Sequence, residues 1–484
     1  MVESARFVAG QAGAPGPRAN ARGRAGLFSI GLAAYWPQFP GLKERLEGYA
    51  AGVSTRVGGW ADVVPGGLVD DVEGARAVGA LFAREQVDLI LVHTATYATS
   101  SQVLPAVQRA GVPVVVLNLQ PVAALDYPNT DTGEWLANCS ACCAPEIAGA
   151  FARARIPYHV VSGLLDGPDS TRAWQEIASW CRAAGAARAL RAARFGFLGH
   201  TYPGMLDLYS DATQLHAQLG LHVEALEMDD LQACVETAND AEQAAVLDQT
   251  RQSFQLDTTV NEADLAWAAQ VAAGMDRLAA DYRLDALAYY YRGRGQFERL
   301  AAGLILGGSR LTARGIPCAG EGDLKNAVAM FLMDRLDAGG SYTEFYAMDL
   351  AEGFVLMGHD GPGHVAISDR PPILRGLGLY HGKAGHGISV EFSVRTGPVT
   401  ILGLTQTADG RLKLLIAEGE ALPGPILRIG NTNSRLRFAL PPDDFVDRWC
   451  QEGPTHHVAL GVGHHAATLH KVGALLGLET VVVP

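Results

Sequence analysis

The sequence predicts an α/β protein in which two doubly wound parallel sheets are followed by a β-rich, barrel-like domain. Three observations predict it. Short apolar runs alternate with helical patterns from about residue 25 to 165. The alternation restarts at "RFGFLG" and continues to about Leu336. From Tyr342 onward, short strands follow one another between Gly and Pro residues. At 484 residues the chain exceeds a typical single domain. The expected divisions are a flexible extension at 1–24, an N-terminal domain at 25–165, a central α/β domain at 166–338 and a C-terminal β-rich domain at 339–484.

Taken in order, "LFSIG" (Leu27 to Gly31) reads as a strand, and Leu42, Leu46, Tyr49 and Val53 recur at helical steps along one face. "DLILV" and "PVVVL" are continuous β-branched runs of the kind found in strands covered on both faces. A crossover helix at Gln102 to Ala110 lies between them. The central region opens with an Ala- and Arg-rich helix at Ala183 to Ala193. It continues through helices at Thr213 to Leu219 and Glu262 to Tyr282, then the strand-like "DALAYYY", and ends in the helix after Glu321. Beyond it, "FVLMG", "HVAIS", "GISVEFSV", "PVTILGLTQ", "RLKLLIAE" and "ILRIG" read as strands, with a hairpin turn at Asp409-Gly410. A helix at Ala466 to Leu475 and the strand "TVVV" close the chain.

Composition narrows the function classes. The chain is 48% hydrophobic, yet no apolar run is long enough to span a bilayer. A formal net charge of −13, with no concentration of Lys and Arg in the ordered chain, argues against a nucleic-acid partner. The basic stretch Arg18 to Arg24 lacks a following apolar segment of the secretory type, so the expected location is cytoplasmic. Seven irregularly spaced cysteines make no disulfide framework; the Cys139, Cys142, Cys143 cluster has no second ligand pair for zinc and reads as reduced thiols. No G-x-G-x-x-G follows the first strand, because "GLAAYWPQF" puts bulky residues where a pyrophosphate needs bare backbone.

The residues with chemistry gather at the junction of the last two regions. Glu321 in "GEGDLK" precedes a helix whose expected N-cap is Asp323, and that helix N-terminus favours ionised carboxylates. Glu344 follows in "GGSYTEFY", His359 in "MGHDGPGH", and His464 and His465 in "GVGHHAATLH". Two carboxylates and two imidazoles beside Gly-rich turns make a mixed N/O set that suits manganese, with iron, cobalt or nickel as alternatives, better than calcium.

The order "GEGDLK", "GGSYTE", "GH" and "GVGHH" resembles the L-arabinose isomerase family, with L-fucose isomerase a more distant relative. That family's motifs read GEGDWK, GGTSFME, GSH and GAHH. The resemblance implies two Rossmann-like domains, a β-rich C-terminal domain and aldose–ketose isomerisation. It implies a divalent ion, most simply Mn2+, held by Glu321, Glu344, His359 and His465, with both glutamates also moving protons. It implies a homo-oligomer, a hexamer or a related assembly. By similarity of "RFGFLGHTYPGMLDLYSD" to the family's FGDNMRDVAVTEGD, Met205 would line the sugar pocket, and His464 would face the substrate beside His465.

Departures from the family fall on the substrate side. The family's GSQHLYG after the first strand is replaced by "GLAAYWPQF", which loses a Gln and leaves Tyr35 or Trp36 as the aromatic. The family's TFED region reads "YYYRGRGQF", which offers Tyr291, Arg292 and Arg294 to an acidic or phosphorylated sugar. A retained metal set with a rewritten reading shell implies a sugar other than L-arabinose. The sequence leaves two further readings open: an epimerase or other enediolate enzyme on a modified sugar, and a non-catalytic sugar-binding protein.

Overall fold

The computed structural model describes residues 21–293, 295–377 and 386–484. The chain forms two compact units, one of residues 21–188 with 470–477 and the other of residues 189–469 with 478–484. Among the described residues no helix is long and apolar enough to cross a membrane.

The first unit is a five-stranded parallel sheet of β1 (Arg24–Ile30), β2 (Asp62–Val69), β3 (Leu89–His93), β4 (Val114–Gln120) and β5 (Tyr158–Leu164) in the order β2-β1-β3-β4-β5. Every residue of β3 is buried, as its unbroken apolar run requires of a strand packed on both faces. The first strand opens at Arg24 rather than Leu27, and residues 1–20 of the expected extension lie outside the described residues. Cys139 and Cys143 are buried and Cys142 is exposed; burial pushes the Cys139 thiol up to about 12.

The second unit contains β6 (Arg194–Gly199), β7 (His222–Leu226), β8 (Gln255–Leu256), β9 (Ala286–Tyr290) and β10 (Cys318–Ala319). Four of these make a parallel sheet in the order β10-β9-β6-β7. The chain then enters β11 (Gly339–Asp349), β12 (Phe354–His359), β13 (Ile373–Leu377), β14 (Gly387–Glu391), β15 (Gly397–Gln406), β16 (Leu412–Leu422), β17 (Thr432–Phe438), β18 (His457–Val462) and β19 (Glu479–Val483). Antiparallel pairing in the order β15-β18-β11-β12-β17-β16, with β16 returning to β15, closes a six-stranded barrel, and β19 adds parallel to β16. The fold is therefore mixed α/β, with two parallel Rossmann-like sheets and a closed antiparallel barrel.

Two expected strands are not strands. "HVAIS" forms a short 3-10 turn, Val365–Ile367, whose apolar side chains enter the core while the His364 N–H donates to Ser341 Oγ at 3.2 Å. "ILRIG" lies between Pro425 and β17 without ladder bonds, and the pairing falls instead to the more polar "TNSRLRF". The barrel core is filled by side chains such as Val399, Ile401, Leu415, Val458 and Leu460, capped by Phe445 and Trp449 of the Pro442–Gln451 helix.

The helix Leu324–Arg335 matters most for the site. All its residues but Asp334 are buried, and it lies against β9 on one side and against β11, β15 and β18 on the other. A helix buried around nearly its whole circumference belongs in a core between layers. Its N-terminus is thereby fixed where the parallel sheet meets the barrel.

Candidate metal centre

Gly320–Asp323 leads from β10 into this helix, and its backbone is constrained from three sides. The Tyr202 N–H donates to Glu321 O at 2.9 Å, the Gly322 N–H donates to Tyr289 O at 3.0 Å, and the Tyr342 hydroxyl donates to Gly320 O at 3.0 Å. These bonds hold Glu321 at φ 57° and Gly322 at φ 69°. A non-glycine residue in the left-handed region costs on the order of 1–3 kcal/mol and persists only where its surroundings impose it. A Cβ on residue 322 would lie 2.5 Å from His200 O, so only glycine fits there. The tight approach there is to the protein's own backbone.

Asp323 has two roles. Its Oδ1 accepts from the Asn326 N–H at 2.9 Å as the helix cap, and its Oδ2 lies 3.0 Å from His457 Nδ1. A carboxylate only accepts, so the Nδ1–H is directed at Asp323, and Nε2, the nitrogen that can give up its hydrogen to an ion, faces Glu321 Oε2, 3.3 Å away. Carboxylate–imidazole pairs of this kind fix the ring and tautomer of metal-binding histidines.

The barrel supplies the rest. Glu344 on β11 is the register partner of both His457 on β18 and Gly358 on β12, and His359 ends β12 one residue further on. Three neighbouring strands thus deliver Glu344, His359 and His457 to one place. The His359 ring packs at 4.2 Å from the Tyr342 ring and 4.9 Å from that of His457. Among the described residues, two triads have ligand atoms within 4.8 Å of one another: Glu344, His359 and His457, and Glu321, His456 and His457. The donor chemistry fits a divalent ion. His359 Nδ1 is buried with no hydrogen-bond partner among the described residues, and two carboxylates stand beside neutralisable imidazoles.

Electrostatics point the same way. Burial opposes ionisation of Glu321, but the neighbouring His456 and His457 imidazoles, His457 carrying positive charge, outweigh it and hold the carboxyl well below its usual range. Burial also opposes charging His457, yet Asp323 and Glu321 raise its pKa to about 9. For His359 burial wins, with help from the His457 charge, and its pKa falls to about 3. A pocket that draws a proton onto one imidazole while keeping another neutral is also one that attracts a cation.

The remaining sequence candidates are members of neither triad. His465 stands before the Ala466–Leu476 helix, its N–H donating to Thr400 Oγ1 at 3.0 Å and its Nε2 3.0 Å from Val462 O. His464 is exposed, with Nε2 3.3 Å from Gly419 O. Both follow the C-terminal end of β18, whereas His456 and His457 sit at its start, roughly 17–20 Å away along a strand of this length. The structure does not bring His465 to the cluster and brings His457 there. Met205 is half-buried just before the Leu206–Leu208 turn. Tyr291 is buried, its hydroxyl donating to Phe297 O at 3.0 Å, Arg292 is exposed, and Arg294 lies outside the described residues. In the N-terminal unit, Tyr35 packs edge-on to Phe39 and the Trp36 indole donates to Asp70 Oδ2 at 2.7 Å.

Sequence reasoning missed His456, His457 and Asp207. The available signal was the second His doublet, "PTHHVALG", standing immediately before an apolar strand. A cleft of about 320 Å³ beside the cluster is lined by Asp207, Glu344, Phe345, Thr455 and His456 among others.

Comparison with known proteins finds relatives of this chain among sugar isomerases. Residues 209–339 match the L-arabinose isomerase central domain, and residues 377–483 match the C-terminal domain of L-fucose isomerase. Sulfoquinovose isomerase of Alkalicoccus urumqiensis is 24% identical over 398 residues, covering 81% of this chain and 86% of that protein. L-arabinose isomerase of Acidothermus cellulolyticus is 26% identical over 390 residues, covering 77% of this chain and 75% of its own. Sulfoquinovose isomerase of Priestia megaterium is 21% identical over 425 residues, covering 87% and 91%. The chain is a divergent member of the L-fucose/L-arabinose isomerase superfamily.

Proposed function

We propose that the protein is a metal-dependent aldose–ketose isomerase and that its substrate is a sugar bearing an anionic substituent. The observation that carries the first part is the pair of triads that share His457, Glu344 with His359 and Glu321 with His456, with Asp323 orienting the shared ring. Glu321, Glu344, His359 and His457 would hold the ion, with His457 in the place the sequence had given to His465. A divalent ion, Mn2+ by this mixed donor set, supplies Lewis-acid polarisation of the sugar's carbonyl and hydroxyl oxygens.

The proton work belongs to the chain. Moving a hydrogen between C2 and C1 needs a base that takes the C2 proton and returns it to C1, and an acid–base partner for the oxygens. Glu344 lines the cleft and serves as the base; Glu321, kept ionised by its imidazole neighbours, serves the oxygen side. Burying Asp323 and Tyr342 behind the cluster keeps this wall rigid, so little reorganisation accompanies the reaction.

For the substrate, the support is the altered shell. Arg292 is exposed beyond Tyr290, whereas the cleft end at Asp207 and Glu344 is acidic. An anionic group would be repelled from the acidic end and drawn toward Arg292. Two relatives named sulfoquinovose isomerase support a sulfonated sugar within this class. The test is metal analysis of the purified protein, followed by sulfoquinovose, other anionic aldoses, L-arabinose and L-fucose as substrates, each followed for ketose formation and C2-deuterium exchange. Ketose from an anionic aldose is the expected result. Metal-free protein with full turnover would overturn the metal reading, and exchange without ketose would favour an epimerase.

A further inference from the structure

The segment between β6 and the Ala212–Leu219 helix is tied to the candidate centre at several points. Near its start, the Tyr202 N–H donates to Glu321 O, and near its end Lys325 Nζ donates to Tyr209 O at 2.8 Å. Between these ties, Asp207 Oδ2 accepts the His456 backbone N–H at 3.0 Å and lies 2.6 Å from His456 Nδ1. Leu208 buries the segment's inner side, while Leu206 is 80% exposed, so apolar packing does not by itself set where Asp207 sits.

This arrangement repeats the one at the neighbouring residue. Asp323 takes Nδ1 of His457 and leaves Nε2 toward Glu321; Asp207 takes Nδ1 of His456 and leaves Nε2 at 3.8 Å from the same Glu321 Oε2. Two adjacent imidazoles, their rings 3.8 Å apart, are each oriented by their own carboxylate toward one oxygen. A pair serving only as a surface ion pair would have no reason to aim the second nitrogen inward. The Glu321, His456, His457 triad has ligand atoms within 4.8 Å of one another.

We propose that Asp207 is a positioning residue that presents His456 Nε2 as an additional ligand of the divalent ion, so that completion of the centre depends on the segment from Thr201 to Tyr209. The inference rests on the metal-centre reading given above. It makes the centre responsive to that segment, because displacing Asp207 frees the His456 ring.

The test is Mn2+ titration calorimetry on metal-stripped full-length protein, comparing wild type with Asp207→Ala, His456→Ala and the double variant. Each single change should weaken Mn2+ binding by roughly 10–100-fold, the range for loss of a ligand-orienting partner. The double variant should be no weaker than His456→Ala, because both changes remove one interaction. Asp207→Asn, which retains an acceptor for the backbone N–H, should fall between wild type and Asp207→Ala and guards against misfolding of the alanine variant. Wild-type affinity in Asp207→Asn and Asp207→Ala, or additive losses in the double variant, would overturn the role given to Asp207. A wild-type protein that takes up no Mn2+ would instead remove the metal-centre reading and this inference with it.

Discussion

The N-terminal sheet and the barrel each bury a histidine at a strand terminus, and the two imidazoles behave oppositely. His93 ends β3, is 1% exposed and has Ser29 Oγ 2.9 Å from its Nδ1; burial alone lowers its pKa to about 4. His457 begins β18 and is equally buried, yet Asp323 and Glu321 raise its pKa to about 9. Burial by itself drives an imidazole neutral, and it is the company of carboxylates that turns the same burial into affinity for positive charge. A strand-end histidine is therefore a packing residue in one unit and a candidate ligand in the other.

The largest effect should come from the carboxylates that make the difference. Glu321→Gln and Glu344→Gln each keep shape while removing a charge and, on the proposed mechanism, a ligand and a proton carrier. Turnover of the true substrate should fall by at least roughly 1,000-fold in each, with the fold retained by circular dichroism. Near-normal turnover in either would undo its acid–base assignment.

The next effect belongs to His93 and is one of stability. Its folded pKa is depressed from 6.5 to about 4, so its contribution is fully present above the unfolded value and is lost as pH falls through the folded one. Between about pH 7 and pH 5 that loss amounts to about 2 kcal/mol by linkage. Urea unfolding of wild type and His93→Gln at the two pH values should show this acid sensitivity in wild type and its absence in the variant. Equal slopes in the two proteins would mean that His93 is not held neutral by the fold.

Selectivity should change least. Arg292→Gln should raise KM for an anionic aldose by roughly 5–20-fold, as expected for one lost charge-assisted contact, and leave a neutral aldose unaffected. Equal effects on both sugars would take Arg292 out of substrate recognition.

These contrasts also explain how far the sequence could be read. The parallel strands were legible because "DLILV" and "PVVVL" carry their burial in composition, and the β15–β16 hairpin because Asp409-Gly410 marks its turn, with Gly410 at φ 83°. "HVAIS" misled because apolar side chains entering a core look alike in a strand and a 3-10 turn. Glu321, Glu344 and His359 stood out through Gly-rich motifs that keep their order along the chain. The chain has two His doublets flanking one short strand, and which end of β18 faces Glu344 is a matter of barrel register that no local pattern encodes. Asp207 was invisible for a related reason: it meets His456 only because a loop of the parallel sheet and the start of a barrel strand converge in space.

Mn2+ titration calorimetry of metal-stripped wild type, His457→Asn and His465→Asn most directly tests whether the barrel-side cluster is the metal centre. Wild type should bind Mn2+, His457→Asn should weaken binding by roughly 100-fold or more, and His465→Asn should stay within roughly threefold of wild type. Loss of binding in His465→Asn together with wild-type affinity in His457→Asn would contradict the centre built on Glu321, Glu344, His359 and His457.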